Sequence, residues 1–145
     1  IRSDEAIDEE IKASQERKEA IIKQQNEKGI GTPEYNEVQA TYLQGFRDYR
    51  EGNYARALTS FDAVLALNPK HELAFKYREL SKRRHDELVE MTMLEGKRYM
   101  EQNKYGLAKN AYQQVMILIN DPKNKLYIEA REYFNECVLL MKGAY

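Results

Sequence analysis

The sequence predicts an all-α fold for this chain of 145 residues. Its three prolines and its Gly- or Asn-containing turns divide it into segments of helical length, and few helix-breaking residues lie between them. No segment shows the sustained alternation of apolar and polar residues that is typical of a strand. A comparison of the chain with itself also reveals a repeated pair of helical segments, which favours stacked helices.

The composition argues against several classes of protein. Charged residues make up 32% of the chain, and its 23 basic and 24 acidic side chains nearly cancel. Nucleic-acid and membrane-surface binding need a clear excess of Lys and Arg, so we expect neither partner. No apolar run reaches the ~20 residues that span a bilayer, and no secretory signal is visible, so we expect no membrane insertion and a cytoplasmic location. Neither end resembles a natural terminus, and we expect a piece of a longer protein.

Residues 1–31 are predicted as an N-terminal helix or linker. A helix is expected over residues 3 to about 28, with Ser3 as its N-cap and a Gly-rich sequence at its end. Its large apolar residues are four isoleucines, and Ser14 and Lys18 interrupt the seam between them. Because a coiled coil needs a continuous seam, we favour a linker or a loosely docked helix. Weak homo-oligomerisation through this helix is the alternative.

Residues 32–145 are predicted as one helical domain. Thr32 and Asp121 are expected to be N-caps, since each precedes a proline that suits the first helical position. Between His71 and Gln102 only Gly96 interrupts a helical sequence, which leaves open one long helix or two helices joined by a kink. The predicted parts are a hairpin over 33–69, a linking helix over 71–87, a second hairpin over 88–120 and a capping helix over 123–142.

The internal repeat has an offset of 51 residues, as between Gly45 and Gly96. In each hairpin a Gly on the first helix and an Ala on the second are expected where two backbones come close, because a larger side chain would separate them. Phe61 and Tyr112 are expected to fill the space toward the next hairpin. The main repeated pairs are Gly45/Gly96, Tyr54/Tyr105, Ala57/Ala108 and Phe61/Tyr112.

This pattern resembles the tetratricopeptide repeat family over roughly residues 38–122. The resemblance implies a helical-repeat α-solenoid of antiparallel hairpins, whose first helices line a concave groove that holds a peptide. The chain departs from the family because bulky residues are missing early in the first helices, and because the offset is about one helix too long. The positions at the family's spacings are Gly45, Gly52, Tyr54, Ala57, Phe61 and Pro69, and in the second copy Gly96, Tyr105, Ala108 and Tyr112.

Seven residues are predicted to bind the partner along this groove. The alternative for the aromatic ones is packing between helices, since the unusual register could turn the rings inward. The carboxylate clamp of the family's chaperone-binding members is not matched, because Tyr42 and Phe46 take its places, so we expect no binding of an acidic chain terminus. The predicted partner-binding residues are Tyr42, Phe46, Tyr49, Arg50, Met93, Lys97 and Met100.

No catalytic, metal or cofactor site is predicted. The chain has no nucleophile elbow, zinc-protease motif or phosphate-binding loop. His71 is expected in a first helical turn, His85 in solvent, and Cys137 as a small apolar residue. The basic run over 70–84 is expected to be a solvated helix face, with binding of an acidic partner as the alternative.

The sequence therefore predicts a non-enzymatic scaffold that binds a partner protein or peptide in a helical-repeat groove. The alternative is an assembly or oligomerisation module of a larger machine, with the first and last helices as contact surfaces.

Overall fold

The computed structural model describes residues 4–27 and 31–143, and this part of the chain contains six helices and no strand. The predicted all-α fold is confirmed. The helices are α1 (Asp4–Glu27), α2 (Pro33–Arg50), α3 (Tyr54–Leu67), α4 (Glu72–Glu101), α5 (Tyr105–Ile119) and α6 (Lys125–Met141).

The start of α2 follows the prediction. Thr32 is the N-cap, its hydroxyl accepts a hydrogen bond from the Tyr35 N–H at 3.1 Å, and Pro33 opens the helix. Proline suits this position because its missing N–H would have no partner within the helix. Ser3, the predicted N-cap of α1, lies outside the described residues, as do residues 28–30.

The predicted start of α6 is wrong. Asn124, and not Asp121, is the N-cap, and its side-chain oxygen accepts a hydrogen bond from the Leu126 N–H at 2.8 Å. Asp121 instead accepts from the backbone N–H two residues later and closes a turn that contains Pro122. Asp and Asn are both favoured N-cap residues, and Asn124 is the one that caps α6.

The segment after the first hairpin is one continuous helix of 30 residues, α4. No break separates the predicted linking helix from the second hairpin. His71 is predicted in the first turn of this helix, but it is the N-cap. Its Nδ1 accepts a hydrogen bond from the Ala74 N–H at 3.0 Å. The isolated Gly96 does not interrupt the helix, because a single glycine costs only about 1 kcal/mol relative to alanine and is buried here.

Helices α2 to α6 pack against one another in chain order, and α4 joins two hydrophobic cores. The first core lies among α2, α3 and the first half of α4, with Phe61 fully buried. The second lies among the rest of α4, α5 and α6, with Tyr112 fully buried. Within the described residues, α1 has at most marginal contact with the other helices.

The four small residues of the repeat are buried at close contacts, as predicted, but the two glycines face aromatic rings and not a second backbone. A Cβ atom on Gly45 would approach the Phe61 ring to 2.9 Å, and one on Gly96 would approach the Tyr112 ring to 2.8 Å. Ala57 and Ala108 have no exposed surface. All four positions are therefore buried, and the two glycines leave room for the large rings.

The structure extends the repeat from two helices to three. Tyr77 on α4 stacks on Phe61 with ring centroids 6.3 Å apart, and Tyr133 on α6 stacks on Tyr112 at 5.1 Å. Ala74 and Ser81 flank Tyr77 at the same spacings as Ala130 and Cys137 flank Tyr133, and all four flanking residues are buried. The first half of α4 and helix α6 thus cover the two hairpins in the same way.

Candidate functional site

The predicted aromatic residues of α2 pack against α4. Tyr42 lies 5.0 Å from the His71 ring, and Phe46 and Tyr49 lie 5.1 Å and 5.4 Å from the Tyr77 ring. Each of the three α2 rings is half-buried. The geometry therefore fits the alternative of interhelical packing, with only the outer edges of the rings left for a partner.

Arg50 lies at the edge of this aromatic cluster, as predicted. It is exposed, and its guanidinium carbon is 5.9 Å from the centre of the Phe46 ring, within the range of a cation–π contact. Burial is the main cause that raises the pKa of Tyr42, and the nearby Tyr77 is a smaller one. The phenol of Tyr42 therefore stays neutral and adds no charge to this surface.

Two predicted residues of the second copy, Met93 and Met100, belong to the second core. Met93 is only 5% exposed. The Cys137 thiol donates to the Met100 sulfur at 3.1 Å, and burial raises the pKa of this thiol. Cys137 is a fully buried core residue, and the raised pKa disfavours the thiolate, which is the reactive form.

Lys97 is the predicted residue of the second copy with an exposed side chain. Its ammonium lies 3.5 Å from a carboxylate oxygen of Glu129 and 5.9 Å from the centre of the Tyr133 ring. Both partners are on α6. Lys97 therefore links α4 to α6 at the surface.

A groove of ≈ 270 Å³ lies between α4 and α6. Leu94 is 60% exposed and Leu126 is 39% exposed, and each helix contributes one of them. This volume lies at the lower edge of the about 300–1,000 Å³ that is typical of small-molecule pockets, and it is large enough for one or two side chains. The groove is lined by Glu90, Met93, Leu94, Lys97, Leu126 and Glu129.

The lining of this groove carries a net negative charge. Glu90 and Glu129 supply two carboxylates, and Lys97 supplies the one cation among the lining residues. Lys97 is already paired with Glu129. No ion pair is found for Glu90 among the described residues, so its charge is available to a partner.

Sequence reasoning found Met93 and Lys97 but missed the other four lining residues. The repeat pairs Leu94 with Leu43, but only the structure shows that both leucines are exposed. No sequence signal marked Leu126, since its place opposite α4 depends on where α6 begins.

His85 is not the solvated residue that the sequence suggested. Its side chain is only 16% exposed, and its Nε2 lies 2.8 Å from the Leu118 carbonyl oxygen in the last turn of α5. A carbonyl can only accept, so this nitrogen carries the hydrogen and donates it. Carbonyls at the end of a helix lack partners within the helix, so His85 caps α5 from the side.

Two residues of the basic run over 70–84 pair with acidic side chains. Arg78 pairs with Asp62 of α3 and with Glu79, and the hydrogen bond to Asp62 is the main cause of its raised pKa. Arg84 lies 3.9 Å from Glu87. Exposed ion pairs of this kind are typical of a solvated helix face.

The described residues contain no cluster of three or more His, Cys, Asp or Glu side chains arranged to hold a metal ion. Nor does this part of the chain include a helix that is both long and apolar enough to cross a bilayer.

The class of protein that this fold defines is an all-α protein in which two related three-helix units share one long helix, α4. Compared with models of protein families, with curated proteins and with solved structures, the chain shows no significant match.

Proposed function

We propose that this chain is a non-enzymatic interaction module that binds a peptide segment of a partner protein in the groove between α4 and α6. The observation that carries the proposal is the pair of exposed leucines, Leu94 and Leu126, on opposite walls above the buried Met93. Apolar side chains around a space of this size can take up a side chain of a partner and remove it from water.

The resemblance to tetratricopeptide repeats supports the same proposal. In that family the first helices of successive repeats line the peptide groove, and Met93 and Lys97 on α4 line the groove here. We propose that the chain is a divergent member of this class with an α-solenoid arrangement. Binding by Tyr42, Phe46, Tyr49 and Arg50 stays a prediction. Because the three rings pack against α4, we expect them to contribute less to partner binding than the groove between α4 and α6. The cytoplasmic location also stays a prediction.

A role in assembly is the second candidate, and α1 favours it. Ile7, Ile11, Ile21 and Ile22 are each between 42% and 55% exposed, although isoleucine is among the residues most often buried. Deleting residues 1–31 and measuring the mass in solution over a range of concentrations tests this role. A concentration-dependent mass that is lost on deletion supports it, and a constant monomer mass contradicts it.

The groove is tested with a phage-displayed library of random 12-residue peptides, selected on the full chain. Fluorescence anisotropy then gives the Kd of the selected peptides for the wild type and for Leu94→Glu. We expect binding to weaken at least tenfold, since burying a leucine contributes about 1.5–3 kcal/mol. The matched control is Ile117→Glu, because Ile117 on α5 is 62% exposed and lies outside the groove.

Equal affinity for the wild type and for Leu94→Glu would contradict the proposal. So would a selection that yields no peptide dependent on Leu94. Far-UV circular dichroism of both variants shows that the fold is retained, and Leu126→Glu gives an independent test on the opposite wall.

A further inference from the structure

The charges around the groove indicate what kind of peptide it accepts. Lys97 is held by Glu129 at 3.5 Å and lies over the Tyr133 ring, so its charge is already engaged. Glu90 is exposed at the other end of the lining and has no ion pair among the described residues. A partner therefore meets one uncompensated carboxylate beside an apolar surface.

The spacing of this carboxylate from the apolar surface is set by α4. Glu90 and Leu94 are four residues apart on one helix, which is about 6 Å along its axis. An extended peptide covers about 6.6 Å in two residues, and a helical peptide covers about 6 Å in four. A cation at either spacing from an apolar residue can reach Glu90 while the apolar side chain lies between Leu94 and Leu126.

We propose that the groove selects basic–apolar peptides, in which an Arg or Lys lies two residues (extended) or three to four residues (helical) from a Leu, Ile or Met. This inference rests on the proposed function and adds the chemistry of the partner. Arg suits the carboxylate best, because its planar guanidinium can donate two parallel hydrogen bonds. An acidic peptide would place like charges together at Glu90 and Glu129.

The test compares peptides selected from the same phage library on the wild type and on Glu90→Lys, each as the full chain. On the wild type we expect Arg and Lys to be enriched at the stated spacings over the unselected library. On Glu90→Lys we expect this enrichment to be lost and Asp or Glu to take its place. Glu95→Lys is the control, because it makes the same charge change on an exposed residue of α4 outside the groove lining.

A charge-swap cycle then measures the pair directly. Replacing the basic residue of a selected peptide by Glu should weaken binding to the wild type about threefold to tenfold, because an attractive exposed ion pair becomes a repulsive one, and binding to Glu90→Lys should recover. Binding to the wild type should also weaken as salt is added, because an exposed ion pair is screened.

The outcomes separate the inference from the proposed function. Peptides that depend on Leu94 but show no enrichment of Arg or Lys would overturn the inference and leave the groove intact. The same holds if Glu95→Lys changes the selected peptides as much as Glu90→Lys does. If no selected peptide depends on Leu94, both the groove and its charge preference fail.

Discussion

Tyr112 buries a hydroxyl group that has no hydrogen-bond partner in the described structure. The ring itself is well placed, because it stacks on Tyr133 at 5.1 Å and fills the space over Gly96. The equivalent position of the first unit holds Phe61, which is also fully buried. Tyr112→Phe should therefore remove an unsatisfied group while it keeps the ring packing.

The expected effect is a gain in stability. A hydroxyl buried without a partner costs about 1–3 kcal/mol, and its removal leaves a gap no larger than one oxygen atom. We expect the free energy of unfolding to rise by about 1 kcal/mol, which corresponds to a few degrees in Tm for a chain of this length. Urea titration followed by far-UV circular dichroism measures the first quantity, and scanning calorimetry measures the second.

The matched control is Tyr105→Phe at the start of the same helix. The Tyr105 hydroxyl is exposed and donates to Asn103 Oδ1 at 2.8 Å, so its loss should leave stability unchanged or lower it slightly. If Tyr112→Phe lowers the free energy of unfolding by 1 kcal/mol or more, the buried hydroxyl has a partner and the reasoning is wrong.

Three further predictions use the same titration. Gly96→Ala should destabilise the protein, because overpacking costs about 1–3 kcal/mol and helix propensity returns at most about 1 kcal/mol. Gly106→Ala should be neutral or stabilising, since its Cβ would lie 3.9 Å from the Met141 Cε, an ordinary van der Waals contact; equal effects of the two substitutions would refute the steric argument. His85→Ala should cost about 1 kcal/mol by removing the hydrogen bond to α5, and no change would show that α5 needs no such cap. Above pH 10 stability should fall, because burial raises the pKa of Tyr112, so the unfolded chain loses this proton and the folded chain keeps it. Tyr112→Phe should reduce that slope, which for one proton is about 1.4 kcal/mol per pH unit; an unchanged slope would contradict the assignment.

The sequence was sufficient where local chemistry decides the structure. Thr32-Pro33 opens α2, and the Gly and Ala positions of the repeat are buried at the close contacts, because only those residue types fit there. It was insufficient at α6, where Asp121 and Asn124 are equally good caps. The two caps are only three residues apart, and residue type alone does not choose between them.

The candidate site also contains some residues that could be predicted from the sequence and others that could not. Met93 and Lys97 could be predicted from the repeat, because their positions on a first helix follow from its spacing. Leu94 could not be separated from a core leucine, since sequence alone does not say which side of α4 is covered. The burial of His85 does not follow from the sequence, because its partner is a backbone carbonyl 33 residues away, and every residue type has such a carbonyl.

The repeat also explains why the groove belongs to the second unit. Tyr42, Phe46 and Tyr49 of α2 have as counterparts Met93, Lys97 and Met100 of α4, each 51 residues later. In the first unit, three rings fill the space between the first and third helices by contacts of 5.0 to 5.4 Å with His71 and Tyr77. In the second unit, unbranched side chains hold the same places. Met93 and Lys97 line the groove, and Met93 and Met100 belong to the second core. One packing scheme is thus used twice, with rings in the first copy and linear side chains in the second, and the groove lies beside the linear ones.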